Sequence, residues 1–288
     1  MTSPRLAVQT ALGRMYAREV GGQPTVPSIT TVIGMEKVDL TGWAGYLAAK
    51  TLSEDARLPL ATGDPSTMRR LVRDSASAAE GHRDLAAARG DRVHNYAEQY
   101  ALREMGKPHE LDAALAALRE NGELGFVRHF ETWWRDFKVE PIAAEVTVWN
   151  QSVGYAGTID LVARIGGQVC LVDYKTRGTD REGQVKSPDP KVIMQLAAAA
   201  KAEEHSIDPV AGTWEPWPFD TDVMLLAVAL GEVGARTFTA RPSSMPAYWS
   251  KFWALHRTWQ AQYQLLQQPS GLIEIGPPPQ PGAARPVD

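Results

Sequence analysis

Two acids and a lysine, Asp160, Asp173 and Lys175, carry the clearest chemical signal in the chain. They fall in residues 145–176, where apolar runs are broken by Gly154 and by the pair Gly166-Gly167. A Gly-Gly pair between β-branched runs reads as a tight hairpin turn. Its arms are residues 158–165 and 168–175. Strand side chains alternate faces, so Asp173 and Lys175 point the same way. Asp160, on the opposing arm, lies roughly opposite Asp173, to within about one residue of register. Carboxylates that close repel, and loss of water makes the repulsion worse. A divalent cation between them removes the conflict, and hard cations such as Mg²⁺ take oxygen ligands. The plain alternative is a solvated strand end with an ordinary salt bridge.

The order D…D-x-K on a hairpin resembles the PD-(D/E)XK nuclease superfamily. The local form G-T-I-D…V-D-Y-K is similar to its RecB-type exonuclease branch. Upstream, R-G-D-R-V-H-N-Y-A-E at residues 89–98 resembles the R-G-x-x-x-H-x-x-x-E helix that precedes the hairpin in that branch. Downstream, Gln195 matches the first position of Q-x-x-x-Y, and Ala199 stands where the tyrosine is expected. The resemblance implies an α/β, restriction-endonuclease-like fold: a mixed central sheet flanked by helices, with an N-terminal helical portion over the cleft. It implies one or two Mg²⁺ or Mn²⁺ ions held by His94, Asp160, Asp173 and the backbone carbonyl of Tyr174, with Glu145 as a further acid. The catalytic set is then Asp160, Asp173, Lys175 and Gln195. Lys175 would orient the attacking water and stabilise developing charge; acting as a literal base would require a strongly lowered pKa. Gln195 would position water or phosphate.

The implied activity is metal-dependent DNA hydrolysis, as a phage-encoded exonuclease of recombination or DNA processing. The other forms are a structure-selective endonuclease on the same fold and a non-catalytic member that binds DNA. The expected partners are DNA, single- or double-stranded, and a recombinase or single-strand-binding protein. The polar stretch after Lys175 carries Arg177, Arg181, Lys186 and Lys191, which could guide a DNA strand. It is equally what an exposed loop looks like.

Composition sets bounds. The chain has 288 residues, 44% hydrophobic and 22% charged, which is ordinary for a globular protein. Its net charge of −4 is not the basic footprint of a typical nucleic-acid binder, although carboxylates of a metal site add negative charge and a local basic groove can coexist with them. The single Cys170 leaves no partner for an intramolecular disulfide and no ligand set for an iron–sulfur cluster within the chain. Some RecB-type relatives carry such a cluster, and this chain departs from them. No apolar run reaches the roughly 18 residues of a membrane span, and the first residues lack the apolar core of a signal peptide. The expectation is a cytoplasmic protein with no membrane contact. A zinc-protease motif fails, because Asn95 and Glu98 stand where glutamate and histidine are needed after His94. A P-loop is absent too.

The elements that must position these residues follow from periodicity. Residues 1–83 read as the N-terminal helical portion, 84–268 as the nuclease core with its C-terminal helix, and 269–288 as a disordered tail. Residues 1–25 look loosely ordered. Ser28 or Thr30 could cap a short helix. Helices are expected over 40–52, with Thr41 as cap, and from Asp64 to about residue 79, bearing Arg69, Arg70 and Arg73. A helix over 84–105 is expected to bend near Gly90. Further helices fall at 110–120 and 123–137; Phe126, Phe130, Trp133, Trp134 and Phe137 on the latter read as core. Pro141 is expected to end that helix, and residues 142–149 to form the first strand of the sheet. Asp189-Pro190 opens a helix that runs to residue 206. Residues 212–220 read as a Trp/Pro loop, 221–230 and 235–240 as strands, and 246–268 as a helix with an aromatic stripe.

Overall fold

The computed structural model describes residues 4–219 and 222–277. The chain opens with three short antiparallel strands, β1 (Ala7–Thr10), β2 (Gly13–Tyr16) and β3 (Val26–Pro27). The expected loose start is therefore an ordered sheet, with Leu6, Met15, Tyr16 and Ala17 buried beneath it. Strands of four residues reading AVQT and GRMY are too short to display alternation, so tertiary packing decides them.

Four helices follow: α1 (Ile29–Ile33), α2 (Thr41–Glu54), α3 (Leu58–Ala61) and α4 (Pro65–Ala76). Ser28 caps α1, its hydroxyl oxygen accepting the Thr31 N–H at 2.9 Å. Thr41 is the first helical residue of α2 rather than its cap; the Asp39 carboxylate accepts its N–H at 2.9 Å. Asp64 caps α4 as expected. Helix α5 (Ala78–Glu104) runs without a break through Gly90. Helices α6 (Leu111–Glu120) and α7 (Leu124–Asp136) complete this half.

The second half is built on a seven-stranded mixed sheet. Its members are β4 (Glu140–Asn150), β5 (Tyr155–Ile165), β6 (Gln168–Thr176), β7 (Glu204–Asp208), β8 (Thr213–Pro216), β9 (Met224–Leu230) and β10 (Ala235–Thr239). Their spatial order is β10-β9-β6-β5-β4-β7-β8. The β6–β9 pair is parallel, and α8 (Lys191–Ala200) lies in the crossover that parallel pairing requires. Helix α9 (Met245–Leu266) closes the fold. The β5–β6 turn is at Gly166 and Gly167, with φ of 59° and 84°, the left-handed pair that a two-residue hairpin demands.

Three further expectations are corrected. Pro141 does not end a helix but sits in β4, whose first residues lie beyond its short pairing with β7 and so need no N–H on that edge. Helix α8 stops at Ala200, and the polar residues after it enter β7. The Trp/Pro loop contains β8, paired with β7. Residues 278–288 of the expected tail, and residues 220–221, lie outside the described residues.

Each face of the sheet carries a core. On one, α5, α6 and α7 pack Tyr96, Phe130 and Trp133 against Leu161, Val172 and Tyr174. On the other, α1, α8 and α9 pack Ile29, Leu196 and Phe252 against Leu171 and Val162. Of the aromatic stripes, Phe137 and Trp253 instead face solvent, 40% and 46% exposed. Gly157 has a packing reason: a Cβ there would come within 2.5 Å of Ile29 Cδ1, so any other residue would force the Ile29 side chain of α1 to shift. Phe130 touches the rings of Tyr96, Tyr100, Trp134 and Tyr174. Phe130→Ala should therefore cost about 3–5 kcal/mol, read as a lower midpoint in chemical denaturation. A loss below 1 kcal/mol would show that this layer is not close-packed.

Candidate metal centre

The site begins with register. Ala144 faces Leu161 and Val146 faces Ile159, so Glu145 on β4 stands opposite Asp160 on β5. Leu161 faces Val172, and one step further Asp160 meets Asp173 on β6. Three carboxylates thus lie in a row across three adjacent strands. Glu145 has φ of 49°, in the left-handed region that non-glycine residues rarely enter. Such strain persists only where surrounding structure holds it, and it concentrates at functional sites.

Helix α5 contacts β4, β5 and β6 and delivers His94 to this row. His94 Nδ1 lies 3.5 Å from Asp160 Oδ2. Among the described residues, His94, Glu145 and Asp160 each offer a ligand atom, all within 4.8 Å of one another. Asp173 stands beside this trio with both oxygens engaged. Gln195 Nε2 donates to Asp173 Oδ1 at 2.5 Å, and Lys175 Nζ lies 2.5 Å from Oδ2. The compact ligand set therefore includes Glu145, expected only as a further acid, while Asp173 is tied to the lysine. The Tyr174 N–H donates to Asp160 Oδ2 at 2.7 Å. In extended backbone the carbonyl of a residue faces the same edge as its N–H, so the Tyr174 carbonyl also faces β5. Its ring packs under the site against Phe130, Trp133 and His94.

Burial and crowding set the protonation states. Burial, then Asp160 and Glu98, push the Glu145 carboxyl up to about 9. Burial also drives Asp173 up, against the pull of Lys175, to about 6. Burial opposes ionisation of Asp160 as well, but His94, Lys175 and the Tyr174 N–H outweigh it and hold that carboxyl low. His94 loses to burial and gains more from Asp160, so its pKa rises. Lys175 is likewise raised: burial disfavours its charge, and Asp173 and Asp160 more than restore it. Lys175 is an ammonium at neutral pH. The donor set, carboxylate oxygens and one imidazole nitrogen, fits a hard or borderline divalent cation.

A cleft of about 330 Å³ opens over these groups, lined among others by His94, Glu145, Asp160, Asp173, Lys175 and Gln195. Ala199, standing where a tyrosine was expected, lines it too. Sequence reasoning missed Arg14 and Tyr16 of β2, which form part of its wall. Nothing in the first residues signals this, because the hairpin reaches the site only through tertiary contact. Of the basic stretch, Arg177 is half-buried beside the cleft, whereas Arg181 and Lys186 are exposed. Lys191 turns to Glu36, its Nζ 3.7 Å from Oε2. Arg69, Arg70 and Arg73 are exposed on α4 and do not line the cleft. Arg89 and Arg92, the two arginines of the R-G-D-R segment, pair with the buried Glu123 and so help to fix α5.

No model of a known protein family matches the chain, and no curated protein matches it. Among solved structures, 15 chains are similar. One is titled "Crystal structure of SSO0001"; it is 13% identical, with a TM-score of 0.25, over 63% of this chain and 86% of that one. Among the described residues, no helix is long and apolar enough to cross a membrane.

Glu145 and Asp173 keep protons in the folded chain to higher pH than in the unfolded chain, where carboxyls titrate near 4. His94 acts in the same sense above its ordinary value. The folded state then binds more protons, so unfolding free energy should fall as pH rises from about 5 toward 9 in chelator. Glu145→Gln should flatten the upper part of that slope. Denaturation midpoints across this range test it; a stability that rises with pH there would contradict the crowding.

Proposed function

We propose that the chain is a metal-dependent DNA nuclease of the PD-(D/E)XK type, hydrolysing phosphodiester bonds as an exonuclease in DNA recombination or processing. The observation that carries this reading is the meeting of His94, Glu145 and Asp160 with the Asp173–Lys175 pair in one cleft. Mg²⁺ or Mn²⁺, held by His94, Glu145 and Asp160 with the Tyr174 carbonyl and Asp173 beside them, would supply Lewis acidity toward the phosphate and a more acidic bound water. The chain supplies the rest. Lys175, kept charged by its carboxylate neighbours, acts as a fixed positive charge for the phosphate and its developing negative charge, not as a base. Gln195 holds one oxygen of Asp173, so the other stays turned to Lys175. Arg177, beside the cleft, is suited to a neighbouring phosphate. Arg181 and Lys186, solvated in the loop, and Lys191, drawn to Glu36, have weaker claims on DNA. The setting that suits this activity is the cytoplasm, on a phage or host chromosome, with a recombinase or single-strand-binding protein as partner.

Purified protein should cut linear DNA with Mg²⁺ or Mn²⁺ and stop in chelator. Lys175→Ala should lower turnover at least 10²–10³-fold while the fold and much of the DNA binding remain. Closed circles should be spared, as an end-dependent enzyme requires. Full activity in Lys175→Ala would remove the lysine from the chemistry, and cutting of closed circles would turn the reading to an endonuclease.

A further inference from the structure

A second, smaller cavity of about 160 Å³ adjoins the cleft, between α1, α8 and the end of β6. The two share Thr30, Lys175, Thr176 and Gln195. Three cations line the smaller one: Lys175, Arg177 and Lys191. Two of them are already matched by acids. Lys175 pairs with Asp173, and Lys191 is directed at Glu36. Asp189 borders the same cavity, but its carboxylate accepts the Lys191 N–H at the start of α8. Among the described residues Arg177 has no ion pair, and its Nε is buried without a hydrogen-bond partner. A buried guanidinium N–H lacking an acceptor costs free energy unless a ligand supplies one.

The backbone holds this arginine in a set place. The Arg177 N–H donates to the Leu230 carbonyl at 2.7 Å, which carries the parallel pairing of β6 with β9 one residue past the end of β6. Arg177 therefore follows Lys175 as the next residue but one of an extended chain, and both line the smaller cavity. Two residues of strand advance about 6.6 Å, the scale of the step between successive phosphates of a nucleic-acid strand. The loop beyond is folded back on itself. The Lys186 N–H donates to the Gly178 carbonyl at 3.0 Å, Thr179 pairs with Val185, and Arg236 Nη1 donates to the Val185 carbonyl at 2.8 Å. Gly231 belongs to this packing, since a Cβ there would meet Val185 Cγ2 at 2.7 Å.

We propose that Arg177 and the smaller cavity form a subsite for a second phosphate, the one next to the phosphate held at Lys175. This rests on the nuclease reading and deepens it: the substrate is a strand with successive phosphates, not an isolated phosphodiester. A guanidinium presents a planar fork of donors that matches phosphate oxygens. A contact of this kind sets the register of the strand without reading its sequence. It also separates Arg177 from Arg181 and Lys186 of the same stretch, which are exposed in the loop and line neither cavity.

The test uses the full chain in Ca²⁺ buffer, with a fluorescein-labelled single-stranded oligodeoxynucleotide read by anisotropy over a range of salt. Arg177→Gln removes the charge and keeps much of the stem. It should weaken binding about tenfold, as loss of a hydrogen bond between charged groups does. It should also reduce the slope of log affinity against log salt by about 0.7, the value for one lost phosphate contact on a single strand. Arg177→Lys should retain the slope, which a merely structural role would not do. Arg73→Gln, on α4 and outside both cavities, should change neither quantity. Unchanged affinity and slope in Arg177→Gln overturns the subsite, and so does an equal loss in Arg73→Gln, which would point to bulk charge. A lower denaturation midpoint with an unchanged slope would give Arg177 a packing role and overturn it too. Protein that cuts DNA but ignores Arg177→Gln overturns this inference alone; protein that neither cuts nor binds DNA overturns the nuclease reading with it.

Discussion

Electrostatic crowding across β4, β5 and β6 is the constraint on which the rest of the molecule turns. The register sets Glu145, Asp160 and Asp173 side by side, in surroundings that exclude most water. Left alone, such a row would protonate or come apart. Each acid has its own compensation. Asp160 receives His94 and the Tyr174 N–H; Asp173 receives Gln195 and Lys175. Glu145 has a strained backbone and carries the most elevated pKa of the three. A cation among these groups would relieve the crowding that burial and Asp160 impose on Glu145.

The frame serves that row. Helix α5 is fixed by the grip of Arg89 and Arg92 on buried Glu123, one turn before His94 is delivered. Helix α8 approaches from the opposite face, set by the Asp189 carboxylate, which accepts the Lys191 N–H at 2.9 Å, and it brings Gln195 to Asp173. Below, the ring of Tyr174 is locked in an aromatic layer with Phe130 and Trp133, so the strand that carries Asp173 and Lys175 has little freedom. From above, the N-terminal hairpin is fastened to β5 by Tyr16 and to α1 through the carbonyl of Arg14. Four separate segments converge on the row and hold its side chains in place.

Much of this was legible in the sequence, and the reason is local. The Gly166-Gly167 turn fixes hairpin register, and register alone sets Asp160 opposite Asp173. Ser28 and Asp64 announce helix starts through their own side chains. His94, singled out by motif order, lies with its Nδ1 3.5 Å from Asp160 Oδ2. What could not be read depends on partners distant in the chain. The first strands are four residues long and gain their order from burial of Leu6 and Tyr16 against the main sheet. Strands β7 and β8 are polar edge strands whose pairing with β4 and with each other, not their composition, makes them strands. The division of labour between Glu145 and Asp173 was equally hidden, since it turns on which oxygens Lys175 and Gln195 already occupy.

The most direct test of the carboxylate–imidazole cluster is titration of the full chain with Mn²⁺, followed by electron paramagnetic resonance of the free ion. Saturable binding is expected for the unaltered protein, weakened at least about tenfold by Asp160→Asn and by His94→Ala. Absence of saturable binding, or equal affinity in those variants, would contradict a metal centre built from His94, Glu145 and Asp160.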